Sequence, residues 1–196
     1  DATLECLVAG AVDFILKPSD TDAWRLSEVA LALCEKVKVA SELRVRRHAR
    51  PSRGYVRPDG VSQAGFSLLV MGSSTGGPLA LEHLLPLLAD GFLCPVVIAQ
   101  HMPSGFVEAM ATRLARICHM DVRVLKHSEV LERGVIYMCQ GGHDTEVVMA
   151  AHSLEAVVSE SRDILAPSVD KLFASAARAR PGEVVGVVLT GMGKDG

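Results

Sequence analysis

Residues 66–88 read FSLLVMGSSTGGPLALEHLLPLL. An apolar run suited to a buried strand ends in Gly72-Ser73-Ser74-Thr75-Gly76-Gly77 and passes directly into a helical pattern. Strand, glycine-rich turn and helix in that order open a βα unit. Such a turn can cradle a phosphate on the N–H groups of the helix start, or hold a serine up as a nucleophile. The phosphate reading fails in three places. G-x-G-x-x-G needs glycine where Ser74 stands, and a P-loop needs lysine where Pro78 follows Gly77. A dinucleotide site also wants an acid after the second strand, and Gln100-His101 stand there. Gly72 to Gly76 instead fits G-x-S-x-G with Ser74 at its centre. Taken alone, the same letters also suit a serine that merely caps a helix.

Outward from this turn, strand-like runs recur at Pro95–Ala99, Val122–Leu125, Val135–Met138, Glu146–Ala150, Leu154–Val158 and Val184–Leu189. Helical patterns cover Pro78–Leu88, Gly105–Cys118 and Ser168–Arg180. This alternation predicts an α/β fold, a doubly wound, mostly parallel, Rossmann-like sheet with helices on both faces. The runs at 146 and 154, split by Ala151-His152-Ser153, predict an antiparallel hairpin inserted into that sheet.

In such a sheet, the carboxyl ends of the strands share one crevice. Of the seven histidines, only His101 directly follows a buried strand, in CPVVIAQHMPSGF. Asp195 follows the run 184–189 through TGMGKDG, whose glycines allow a sharp turn inward. Serine, histidine and carboxylate on one sheet edge make a hydrolytic triad, which is defined by geometry and roles. The chain order Ser74, His101, Asp195 differs from the Ser, Asp, His order of α/β-hydrolases.

The chain has 196 residues, 49% of them apolar and 22% charged, with a net charge of −3. That composition describes a globular protein with no global attraction to nucleic acid. Five scattered cysteines without a C-x-x-C pair fit reduced thiols better than a disulfide framework or a zinc site. No run reaches the roughly 18 apolar residues of a membrane span, so membrane insertion is not expected. The chain opens on Asp1 without an initiating Met and closes one residue after Asp195, and it reads as a fragment of a longer protein.

Three segments follow. Residues 44–65 carry six arginines among Pro51, Gly54, Pro58 and Gly60, a composition that solvates rather than buries and predicts a linker. Residues 66–196 form the output domain. Residues 1–43 contain LECLVAGAVDFILKPSD, in which a helix end leads to a strand at Val12–Leu16 and then Lys17-Pro18. A helix is expected from Asp22 to Leu43, with Leu26, Val29, Ala30, Leu33 and Val37 at helical spacing. The combination Gly-Ala-x-Asp-Phe-x-x-Lys-Pro resembles the end of a two-component receiver domain of flavodoxin-like fold. That resemblance implies that Lys17 contacts a phosphorylated aspartate lying upstream of this chain. It also implies that the whole receiver uses Mg2+, whose ligands are not in this chain.

VMGSSTGGPLAL, IAQHMPSGF, APSVDKLFASAA and GVVLTGMGKDG together resemble the chemotaxis protein-glutamate methylesterase family, CheB. In that family a receiver and linker precede the esterase domain, and the order here is similar. The resemblance implies a cytoplasmic serine hydrolase that removes methanol from glutamyl γ-methyl esters of methyl-accepting chemotaxis receptors and deamidates receptor glutamines. It implies a chemotaxis histidine kinase as phosphodonor. It also implies Ser74 as nucleophile, His101 as general base, Asp195 as the group orienting His101, Thr75 as site support and the Met192 N–H in the oxyanion hole. An ester needs no metal, and no metal or other cofactor is expected in the catalytic domain. The implied esterase domain continues past Asp195, and Ala166 and Gln140 stand where many members carry arginine and proline. The alternative is a non-catalytic response-regulator output module that binds receptors or other partners.

Overall fold

The computed structural model describes residues 2–15, 17, 26–42, 65–88, 92–161, 163, 166–191 and 194–196. The chain divides into two compact units, Asp1–Gly54 and Tyr55–Gly196.

In the first unit, α1 (Ala2–Val8) and α2 (Leu26–Glu42) flank residues 11–15. Those residues form no strand, unlike the expectation for Val12–Leu16, and Leu16 lies outside the described residues. A strand exists by pairing, and none of the described residues pairs with this stretch. It is instead tied to α2 through Asp13, whose Oδ2 lies 2.6 Å from Lys36 Nζ. Of the expected linker, 44–65, only Gly65 is described.

The second unit is built on a five-stranded parallel sheet in the order β3-β5-β2-β1-β8. Its strands are β1 (Leu68–Ser73), β2 (Val96–Gln100), β3 (Asp121–Leu125), β5 (Val135–Cys139) and β8 (Val184–Val188). The central strands β1, β2 and β5 are buried along their whole length. Being buried on both faces explains their near-continuous apolar letters. Connections from β1 through α3 (Gly77–Leu84) to β2, and through α4 (Ser104–Ala115) to β3, run one way across the sheet. The connection through α5 (Val169–Ala179) to β8 runs the other way. Right-handed crossovers then put α5 on the face opposite α3 and α4. Leu68, Val70, Val97, Ala99 and Tyr137 share the α5 face, in one core cluster with Leu172 and Ala176.

The hairpin expected at 146 and 154 is present as β6 (His143–Ala150) and β7 (Ser153–Glu160). It is not part of the main sheet. It pairs with β4 (Glu129–Val130) in a separate three-stranded antiparallel sheet, and α5 packs against β6. β7 takes β4 as its second partner, and Val147, Leu154 and Ala156 are buried in one core cluster with Leu172 and Ala176 of α5. The helix expected to reach Leu88 ends at Leu84 and tightens into a single 3₁₀ turn, Leu85–Leu87, around Pro86. Proline has no N–H to continue the α ladder.

Candidate active site

Strand register delivers three loops to one place. Ser73 lies opposite Gln100, and Gly72 opposite Val188, so β1, β2 and β8 end nearly level. The ladder continues beyond the strands: His101 N–H donates to Ser73 O at 2.9 Å, and Ser74 N–H donates to Thr190 O at 3.0 Å. Thr190 Oγ1 also donates to Thr75 O at 3.0 Å, which laces the turn to the end of β8 from both sides. The left-handed residue is Gly76, with φ 76°, a conformation glycine adopts without a Cβ penalty. It lets the chain turn tightly into α3.

Gln100, buried at the end of β2, was visible in the sequence only as the absence of an acid. Its Oε1 accepts from Ser73 Oγ at 2.6 Å, and its Nε2 donates to Ser74 O at 3.0 Å and His101 O at 3.1 Å. One amide therefore fixes the backbone at both Ser74 and His101. Both serines line the pocket, but the Ser73 hydroxyl is spent on this clamp, which leaves Ser74 as the serine not held by Gln100 through its hydroxyl.

His101 Nε2 and Asp195 Oδ2 are 2.8 Å apart, with the two side chains 8% and 20% exposed. Asp195 accepts three further bonds: Ser168 Oγ at 3.0 Å and Asp170 N–H at 2.8 Å reach Oδ1, and Val169 N–H at 2.8 Å reaches Oδ2. The carboxylate thus sits on the N-terminus of α5, where orphan N–H groups and the helix dipole favour negative charge. Burial raises its pKa, but the donors from Asp170, Val169, His101 and Ser168 outweigh burial and hold it below the usual carboxylate value. Asp195 is then an ionised acceptor at neutral pH, so the ring nitrogen facing it must be the donor. The neutral tautomer carries its proton on Nε2. Nδ1 is left with a lone pair, buried and without a hydrogen-bond partner.

A cavity of about 140 Å³ opens over this pair, lined by Ser74, His101, Thr190, Lys194, Asp195 and Val169 among others. The three residues singled out in the sequence thus share one pocket. The His101–Asp195 bond is made, and no bond joins His101 Nδ1 to Ser74. Thr75 is buried. Ser74 N–H is already committed to Thr190 O, so an oxyanion here needs other donors. Met192, expected to supply one, lies outside the described residues, and Lys17 is an exposed residue of the first unit. α5 reaches the site because residue 72 is glycine: a Cβ there would collide with the Val169 side chain.

A family described as CheB methylesterase matches residues 69–196. The protein-glutamate methylesterase/protein-glutamine glutaminase 3 of Vibrio cholerae is 39% identical over 204 residues, covering 99% of this chain and 57% of its own length. The corresponding protein of Archaeoglobus fulgidus is 38% identical over 201 residues, covering 99% of this chain and 57% of its own length. This chain therefore spans a little over half the length of these curated relatives. The crystal structure of the Thermotoga maritima CheB methylesterase catalytic domain superposes with a TM-score of 0.64 at 33% identity, over 67% of this chain and 70% of that one. With the shared sheet and the family match reaching from β1 to the loop that bears Asp195, the chain belongs to the CheB methylesterase family.

Proposed function

We propose that this protein is a serine hydrolase that demethylates glutamyl γ-methyl esters and deamidates glutamines on chemoreceptors. One observation carries the reading. His101, which lines the same pocket as Ser74, is oriented by an ionised carboxylate through Nε2, which leaves Nδ1 as a buried acceptor without a hydrogen-bond partner.

In this mechanism the Ser74 hydroxyl attacks the ester carbonyl carbon while His101 Nδ1 takes its proton. The tetrahedral intermediate collapses as His101 returns that proton to the departing methoxide, which leaves as methanol. Water, deprotonated by the same nitrogen, hydrolyses the acyl-enzyme to a glutamate side chain and free Ser74. A glutamine substrate follows the same course with ammonia as leaving group. Asp195 remains ionised throughout and stabilises the imidazolium. Thr75 and the Met192 N–H are assigned to support of the site and the oxyanion.

The relatives' names support protein glutamyl esters and glutamines as the substrate class; methyl-accepting chemotaxis receptors are assigned as the substrates and the cytoplasm as the location. Among the described residues no helix is long and apolar enough to cross a membrane. Residues 1–43 are assigned to the end of a receiver domain with Lys17 as phosphate contact, 44–65 to a linker and 66–196 to the catalytic domain. A chemotaxis histidine kinase would phosphorylate the whole receiver and so regulate the esterase. Among the described residues no group of three His, Cys, Asp or Glu is placed to hold a metal ion.

Ser74→Ala is expected to abolish methanol release from methylated receptors while circular dichroism stays unchanged; undiminished release would remove Ser74 from the mechanism. A fluorophosphonate probe should label Ser74, and His101→Ala should prevent labelling. A serine that stays unlabelled in the unmodified chain would favour the non-catalytic output module.

A further inference from the structure

Ser168 stands between two carboxylates that belong to different parts of the fold. Its Oγ donates to Asp195 Oδ1 at 3.0 Å, and its N–H donates to Asp144 Oδ1 at 3.0 Å. The same Oγ accepts from Lys171 N–H at 3.3 Å, so Ser168 is also the N-cap of α5. Asp144, 4% exposed on β6, is held in turn by Lys171 Nζ at 2.5 Å and Ser161 Oγ at 2.8 Å. An unbroken line of hydrogen bonds therefore runs from the antiparallel sheet to the histidine: Asp144, Ser168, Asp195, His101.

We propose that Ser168, anchored by Asp144, is a positioning residue that fixes the rotation of the Asp195 carboxylate and thereby holds His101 in one tautomer. A carboxylate has two oxygens and one soft torsion at its end. The Ser168 hydroxyl and Asp170 N–H occupy Oδ1, while Oδ2, which also accepts from Val169 N–H, faces His101. Without the hydroxyl, the carboxylate keeps His101 and the Val169 and Asp170 N–H groups as donors but loses the one bond that ties it, through Ser168, to Asp144 on β6. A cap that is fixed from β6 orients the active-site acid without touching substrate.

The inference rests on the triad assignment above, and its test is chosen to stand apart from it. Ser168→Ala, Ser168→Gly and Ser168→Thr are prepared in the same chain. Glycine is a competent N-cap, so Ser168→Gly removes the hydroxyl while sparing the helix. Thr keeps both hydroxyl and cap. The direct readout is the ring ¹⁵N spectrum of His101, assigned by its loss in His101→Gln and recorded without substrate. The unmodified protein should show a single tautomer with the proton on Nε2, and Ser168→Gly and Ser168→Ala should show averaging between tautomers. With methylated receptor, kcat should fall about 10- to 100-fold with KM within about twofold, as loss of alignment predicts, and Ser168→Thr should restore most of it. A ring that stays in one tautomer in Ser168→Gly, or one that already averages in the unmodified protein, would overturn the proposal. If the chain releases no methanol at all, the esterase reading fails, while the ring spectrum still decides the role of Ser168.

Discussion

Asp195 offers two oxygens to four donors, and that arithmetic decides what a substitution there does. Asparagine has one oxygen and one NH2 group, so one of its two positions must face donors it cannot satisfy. If the NH2 faces His101, the ring must accept at Nε2 and carry its proton on Nδ1, which removes the base. If it faces Ser168 and Asp170, the start of α5 is left unsatisfied. Asp195→Asn should therefore lower kcat by roughly 10³–10⁴-fold and reduce stability by about 1–3 kcal/mol. Methanol-release kinetics and urea unfolding measure the two effects separately. Gln100 illustrates the reverse case, an uncharged side chain whose three bonds hold the nucleophile turn and the histidine backbone at a fixed separation.

At the scale of the element, α5 has two jobs on two surfaces. Its N-terminus supplies the donors to Asp195, while Leu172 and Ala176 are buried in the core above β1 and the hairpin. Leu172→Ala should cost about 2–5 kcal/mol, read as a lower urea midpoint, with turnover retained wherever the protein remains folded. The sequence revealed this helix through the helical pattern of its residues 168–180. It placed Ser74, His101 and Asp195 at one sheet edge, where they do line one pocket, because each follows a strand and strand ends in a parallel sheet converge. Ser168, Asp144 and Gln100 were not legible as part of the site. Nothing local distinguishes a serine that caps a helix from one that also reaches a carboxylate 27 residues away. The two residues of β4 are too few to make a pattern. The Val12–Leu16 stretch shows the opposite error, a strand-like pattern without a paired neighbour among the described residues.

For the molecule as a whole, the two buried-edge carboxylates set an acid limit. Burial raises Asp144, and Lys171, Ser168 and Ser161 together bring it below the usual carboxylate value; Asp195 is lowered likewise by its own donors. A folded-state pKa below the unfolded one means that the stabilisation is fully present above the unfolded value of about 3.9. It is lost as pH falls from there through the folded values, because the unfolded chain then binds more protons. Stability should thus be level near neutrality with respect to these groups and decline below about pH 4. Asp144→Asn should flatten that decline in urea titrations run at successive pH values, while lowering stability at neutral pH. An equally steep decline in Asp144→Asn would show that other carboxylates set the acid limit.

The lacing of the β1 turn to Thr190 also has a consequence in time. Synthesis proceeds from the N-terminus, so Ser74 and His101 leave the ribosome well before β8. Until that strand docks beside β1, Ser74 N–H lacks the Thr190 carbonyl and His101 lacks the carboxylate that fixes its ring. Pairings across more than 100 positions, such as β1 with β8, are slow to close. On the proposed mechanism, a nascent chain therefore displays its serine long before it has the means to use it, and reactivity waits until the sheet is finished.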